Sequence, residues 1–221
     1  IIQLIKYAKD LNSPVVLLVK KGSFVKYKNE LANTDNSRLI REKALAMILE
    51  ELNDKCIIVS TTGKTSREIF ELRENNSESH ERDFLTVGSM GHCSSIAFGI
   101  ALSKPHRQVI CIDGDGAMLM HMGSLAIIGS KKPDNFKHIL LNNEVHESVG
   151  GQDTAAKYIN LLTVVEAVGY RNIYQSNNVI ELKENIIKLL KCIGPAFLEI
   201  KIKPGSRPDL ARPTNSPLEN K

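Results

Sequence analysis

The turn Gly114-Asp115-Gly116 and the pair Asn142-Asn143 carry the side chains best suited to chemistry in this 221-residue chain. Flanking glycines let backbone N–H groups approach an anion closely, and a helix opening after the turn adds its positive pole. Asp115 offers one hard carboxylate oxygen and Asn143 one neutral amide oxygen, a partial shell suited to Mg²⁺ already bound to phosphate. The residues between them make the pairing physical. Val109–Ile112 is an apolar, β-branched run with the length of a buried strand, and a helical segment begins near Ala117. Twenty-five residues separate Gly116 from Asn142, and Ile139–Leu141 reads as the next strand. Two parallel strands joined by a helix bring both motifs to the carboxyl edge of one sheet.

Two further loops follow strand-like runs. Cys56–Val59 leads into Ser60-Thr61-Thr62-Gly63-Lys64-Thr65-Ser66 and then a helix through Leu72. This is not a Walker-type phosphate loop, which needs a glycine five positions before Gly63, where Ile58 stands. It either caps its own helix or offers N–H and hydroxyl donors to an anion. Phe84–Val87 leads into Gly88-Ser89-Met90-Gly91-His92, a sharp turn permitted by its glycines, and His92 opens a helix to Ser103. Met118, Met120 and Met122 read as core filling and His121 as structural. After Asn143 come Glu144, Val145, His146, Glu147 and Ser148. Of these, His146 and Glu147 carry groups able to donate a proton or contact an anion.

GDG, this spacer and NN together resemble the diphosphate-binding motif of thiamine-diphosphate enzymes. STTGKTSREIFELRE (60–74), DFLTVGSMGH (83–92) and GSRPDLARPTNSPLENK (205–221) are similar to the phosphonopyruvate decarboxylase family of 2-oxo acid decarboxylases. That resemblance implies thiamine diphosphate and Mg²⁺ as cofactors, with Asp115, Asn143 and the Val145 carbonyl on the metal. Around the cofactor it implies Thr62, Gly63, Thr65, Gly88, Ser89, Met90, Gly114, Asp115, Gly116, Ala117, Asn143 and Ser148. Met90 would wedge beneath the bent cofactor, and the Gly88 carbonyl would accept from its 4′-amino group. The implied reaction converts a short 2-oxo acid, phosphonopyruvate, to phosphonoacetaldehyde and carbon dioxide. Lys64, Arg207 and Arg212 would meet the substrate, the arginines forking onto a phosphonate. His92, His146 and Glu147 are the candidate catalytic groups. Glu144 and Val145 depart from the small residues common after NN, but a carbonyl ligand does not depend on side-chain type. Decarboxylases of the yeast pyruvate type carry an active-site glutamate where this chain has Val149, so that acid does not carry over.

The family's activating glutamate sits on a separate pyrimidine-binding domain, so the resemblance implies that this chain alone is inactive. Its partner would be that domain, of the same or a neighbouring chain, within a homo-oligomer. Residues 1–20 read as the last helix and strand (Pro14–Val19) of that missing domain, and the start at Ile1 without Met fits an excised piece. Residues 21–37 read as a linker, 38–203 as the diphosphate-binding domain and 204–221 as a C-terminal tail. The alternating strands and helices predict an α/β fold, a parallel β-sheet with helices on both faces. Apolar residues make up 42% and charged residues 24%, with a formal charge of +4 spread along the chain, which argues against nucleic acid as a partner. Four scattered cysteines without CxxC spacing read as buried free thiols in a reducing, cytoplasmic setting, not as a disulfide framework or a zinc site. No apolar run reaches the ~20 residues that cross a bilayer, so no membrane is expected. Rival readings are a sulfopyruvate decarboxylase-like β subunit and a non-catalytic assembly module with the same fold.

Overall fold

The computed structural model describes residues 1–20, 22–25 and 38–212. The chain divides into two units, Ile1–Leu31 and Ala32–Lys221. In the first, α1 (Ile2–Leu11) ends at Asn12, which adopts the left-handed conformation (φ 47°) and donates its N–H to the Ala8 and Lys9 carbonyls. The strand expected over Pro14–Val19 does not form. Its residues have no ladder partner among the described residues, and Val16 and Leu18 are exposed. A strand without a neighbour leaves its backbone groups to water. Most of the expected linker lies outside the described residues, as do residues 213–221 of the tail.

The second unit runs α2 (Arg41–Glu51), β1 (Ile57–Ser60), α3 (Lys64–Asn75), β2 (Asp83–Leu85), α4 (Cys93–Ser103) and β3 (Val109–Gly114). It continues through α5 (Asp115–Met120), α6 (Gly123–Lys131), β4 (Phe136–Asn142), the short strands β5 (Val145–His146) and β6 (Gln152–Asp153), and α7 (Leu161–Ala167). It closes with β7 (Asn172–Ser176), α8 (Val179–Lys191) and β8 (Ala196–Lys201). Six parallel strands form one sheet in the order β2-β1-β3-β4-β8-β7, and β5 pairs antiparallel with β6.

Period-two alternation explains why the central strands read as continuous apolar runs. On β3, Ile110 and Ile112 join Leu45, Ile48 and Ile200 on one face, while Val109 and Cys111 join Ala97, Leu125 and Phe197 on the other. Both faces are thus buried, as a parallel sheet requires. On one of them α6 approaches the α7 exit so closely that a Cβ at Gly129 would lie 1.8 Å from the Val168 carbonyl oxygen.

The helix expected from Ala117 starts two residues earlier and breaks at His121-Met122 before α6. Only Met118 of the three methionines is buried. Met120 and Met122 are 56% and 37% exposed, against their reading as core filling. The break ends α5 after six residues and turns that end outward.

β1 and β3 are neighbours, yet the chain leaves β1 toward β2 and β3 toward β4. Such a reversal opens a crevice at the carboxyl edge, where ligands of doubly wound sheets bind.

Candidate active site

Parallel pairing of β3 with β4 sets Gly114 opposite Leu141, which brings the GDG turn and the NN pair together at that edge. Asp115 opens α5 and is buried. Its carboxylate accepts the Thr154 hydroxyl at 2.5 Å, and the backbone N–H groups of Gly116 and Asn143 lie near enough to favour its charged form. Burial drives its pKa above the ordinary carboxylate value, and these donors offset only part of that push.

Asn143 is oriented from both ends. Its Oδ1 accepts the Val145 N–H at 3.1 Å, and its Nδ2 donates to Glu147 Oε2 at 3.0 Å. Glu147 in turn receives Arg41 Nη1 on Oε2 at 2.8 Å and Lys64 Nζ on Oε1 at 2.6 Å. Burial alone would raise the Glu147 pKa, but the charges and hydrogen bonds of Arg41 and Lys64 carry it below the usual range. Arg41 is itself buried in α2 and forks onto Glu68 through Nε and Nη2, both at 2.8 Å. Bidentate pairing of this kind fixes the guanidinium plane. Between the two anchor points, Glu144 takes a left-handed turn (φ 63°) and pairs with Arg38 at 2.9 Å and Lys201 at 3.1 Å.

The facing wall comes from the loops after β1 and β2. Thr62 Oγ1 accepts the Gly88 N–H at 3.0 Å, while Ser66 and Thr86 hydroxyls hold the Thr61 and Ser60 carbonyls at 2.6 Å each. Thr65 is buried at the start of α3, beside Gly63 at φ 97°. Gly88, Ser89 and Gly91 all have positive φ, which projects Met90 from a tight turn. A Cβ at Gly116 would lie 3.0 Å from His146 Nδ1 and 3.5 Å from Met90 Cε, so those three residues meet.

The structure thus brings together Asp115, Asn143, Glu147, Lys64, Gly116, Met90 and His146, with Thr62 beside Gly88. Others stand apart. His92 is exposed at the mouth of α4, its Nδ1 3.3 Å from the Ser89 carbonyl and its ring centroid 4.3 Å from that of His121. Ser148 and Arg212 are exposed. The Arg207 guanidinium is engaged by Glu42 at 3.0 Å, Asp209 at 3.2 Å and Glu71, which ties the tail to α2 and α3.

Three site residues escape sequence reading: Arg41, Glu68 and Thr154. Arg41 did leave a trace, being one turn before Ala44 and Leu45 on the buried face of α2, where a charge needs a partner. Thr154 lies 39 residues from Asp115 in no recognisable spacing.

Asp115 and Asn143 offer a carboxylate and an amide oxygen, which suits a small hard dication. A raised, buried carboxylate is also where a cation is most stabilising. The glycine at 116 keeps the backbone open between His146 and Met90. These residues fit Mg²⁺ with a diphosphate.

Fold and crevice define a class: the chain belongs to the family of thiamine pyrophosphate enzymes, whose C-terminal TPP binding domain it matches over residues 61–200. Among curated relatives it is 38% identical to a phosphonopyruvate decarboxylase of Streptomyces viridochromogenes, over 83% of this chain and 45% of that protein. It is 34% identical to the sulfopyruvate decarboxylase subunit beta of Methanothermobacter thermautotrophicus, over 76% of this chain and 84% of that subunit. The chain therefore spans less than half the length of the phosphonopyruvate decarboxylases it matches. In fold it is similar to a Mycobacterium smegmatis protein described as thiamin diphosphate-dependent, with a TM-score of 0.64 and 17% identity over 81% of this chain and 35% of that one.

Proposed function

We propose that this chain is the diphosphate- and Mg²⁺-holding half of a cytoplasmic, homo-oligomeric decarboxylase of a short 2-oxo acid, acting on phosphonopyruvate. The observation that carries the reading is the parallel register of β3 and β4, which sets Gly114 opposite Leu141 and so brings the Asp115 turn and the Asn143 pair to one edge of the sheet. When bound, thiamine diphosphate would supply the nucleophile and the electron sink that decarboxylation of a 2-oxo acid needs.

The chain's residues position that chemistry. Asp115, the Asn143 amide oxygen and the Val145 carbonyl are the Mg²⁺ ligands, and the Gly114–Ala117 backbone receives the diphosphate. Thr62, Gly63, Thr65, Gly88 and Ser89 form the facing wall, with Ser148 at the rim. Met90 supports the cofactor from beneath. His146, beside Gly116, is the group placed to hold a proton near the reacting atoms, with His92 at the mouth. Glu147, kept ionised between Arg41 and Lys64, is a poor proton donor and serves instead to orient Asn143. Lys64, with Arg207 and Arg212 from the tail, is assigned to the substrate's second anionic group. Residues 1–19 expose Ile1, Ile2, Ile5 and Leu18. We assign residues 1–20 to the pyrimidine-binding domain whose glutamate completes the site.

Calorimetry tests this directly. Thiamine diphosphate should bind the chain only with Mg²⁺, and Asp115→Ala should abolish that heat; metal-independent or absent binding overturns the reading. With the pyrimidine-binding domain supplied, phosphonopyruvate should turn over in preference to sulfopyruvate and pyruvate. The coverage of the sulfopyruvate decarboxylase subunit beta, at 84%, favours sulfopyruvate as the second reading, and the same comparison decides between them.

A further inference from the structure

Behind the GDG turn, inside the core, four side chains with no part in the proposed reaction meet. Cys111 and Asp113 are two apart on β3 and so share one face of the sheet. His138 is the cross-strand partner of Cys111 on β4, and Cys93 opens α4. None is more than 1% exposed. The two Sγ atoms are 3.5 Å apart, and together with an Asp113 carboxylate oxygen they lie within 4.8 Å of one another. His138 Nε2 is 3.7 Å from Asp113 Oδ2, and neither atom has a hydrogen-bond partner. Tyr170 OH holds the other ring nitrogen at 3.2 Å, which leaves Nε2 facing the cluster.

Buried polar atoms are nearly always satisfied, so two orphans facing each other beside a thiol pair require an explanation. We infer that Cys93, Cys111, Asp113 and His138 form a closed structural zinc site. Zinc takes four such ligands tetrahedrally, with bonds of about 2.3 Å to sulfur and about 2.0 Å to nitrogen or oxygen. Those lengths give tetrahedral edges of roughly 3.8 Å between sulfurs and roughly 3.3 Å between nitrogen and oxygen. The observed 3.5 Å and 3.7 Å approach two of these edges; the donors already within 4.8 Å of one another are those of Cys93, Cys111 and Asp113, so His138 has to swing inward to complete the set. Sulfur donors select against Mg²⁺ here, whereas the oxygens of Asp115 and Asn143 suit it.

A dication would offset the negative charge that two thiolates and a carboxylate bring together. The positive pole of α4, at Cys93, offsets part of the remaining negative charge. Such a site would fasten the start of α4 to β3 and β4, immediately behind the two loops that follow them.

The test uses the full chain, purified without chelator and dialysed against metal-free buffer, with no thiamine diphosphate present. One zinc per chain is expected by elemental analysis. Refolding with Co²⁺ should give the near-ultraviolet thiolate-to-cobalt band and the visible bands of a tetrahedral ion. Cys93→Ser and Cys111→Ser should weaken metal retention by roughly tenfold or more. Cys192→Ser, outside the cluster, should retain the metal. If the cluster variants do not fold, the zinc content and cobalt spectrum of the unsubstituted chain decide. Substoichiometric zinc without a thiolate–cobalt band, or a Cys93–Cys111 disulfide detected by mass, overturns the assignment.

Discussion

The Asn143 amide donates through Nδ2 to Glu147 Oε2 at 3.0 Å, which assigns the opposite end of that amide as the oxygen. Removing the acceptor should therefore disturb a ligand without touching it. Glu147→Ala is expected to weaken Mg²⁺-dependent binding of thiamine diphosphate by about 10–100-fold, the range for residues that orient metal ligands. Glu147→Gln keeps an acceptor for Nδ2 and should retain most of the affinity. Calorimetric titration of both variants separates orientation from charge.

Acid should release the same cluster. The folded Glu147 pKa is depressed below its ordinary 4.5, so its ion pairs with Arg41 and Lys64 contribute stability that is fully present above 4.5. That contribution is lost as pH falls through the depressed folded value. Melting temperatures of the parent chain and Glu147→Gln should differ at neutral pH and converge in acid. A difference that persists below the folded value would contradict this.

Asp115 points the other way. Burial raises its folded pKa, so the stability it contributes is present below 3.8 and lost as pH rises through the raised value. At neutral pH the ionised carboxylate is a burden in the cofactor-free chain. Asp115→Asn should raise the melting temperature by roughly 2–4 °C, the response expected of about 1 kcal/mol in a chain of this size. It should also eliminate metal-dependent cofactor binding. Differential scanning calorimetry with and without Mg²⁺ and cofactor reads both effects.

Two glycines should respond differently to alanine. At Gly129 the new Cβ meets the backbone oxygen of Val168 at 1.8 Å, and neither helix can yield cheaply. Gly129→Ala should cost about 3 kcal/mol or more by chemical denaturation. At Gly116 the obstacles are the ends of His146 and Met90, which can rotate away. Gly116→Ala should cost under about 1.5 kcal/mol in stability yet lower cofactor affinity.

The sequence made legible what is local or periodic. GDG and NN are each short local motifs at the ends of neighbouring parallel strands joined by helices, so their convergence follows from sheet geometry alone. The helix starting at Cys93 and the turn holding Met90 were readable from glycine and the onset of an apolar period. What eluded reading is long range. Arg41 reaches Glu147 across 106 residues, and no local spacing encodes a distant partner. The segment Pro14–Val19 has strand composition without a strand, because β-structure depends on a neighbour that composition does not supply. Met120 and Met122 failed for a related reason: the break at His121 rotates them outward, and periodicity assumes an unbroken helix.

Arg41 also donates, at 3.4 Å, to the carbonyl of Gly205 just beyond the last strand. One guanidinium therefore knots together the second helix, the third, the turn after the asparagine pair and the chain's exit from the sheet. Trimming that exit would slacken the knot, so the crevice is tied to the chain segment just past the last strand.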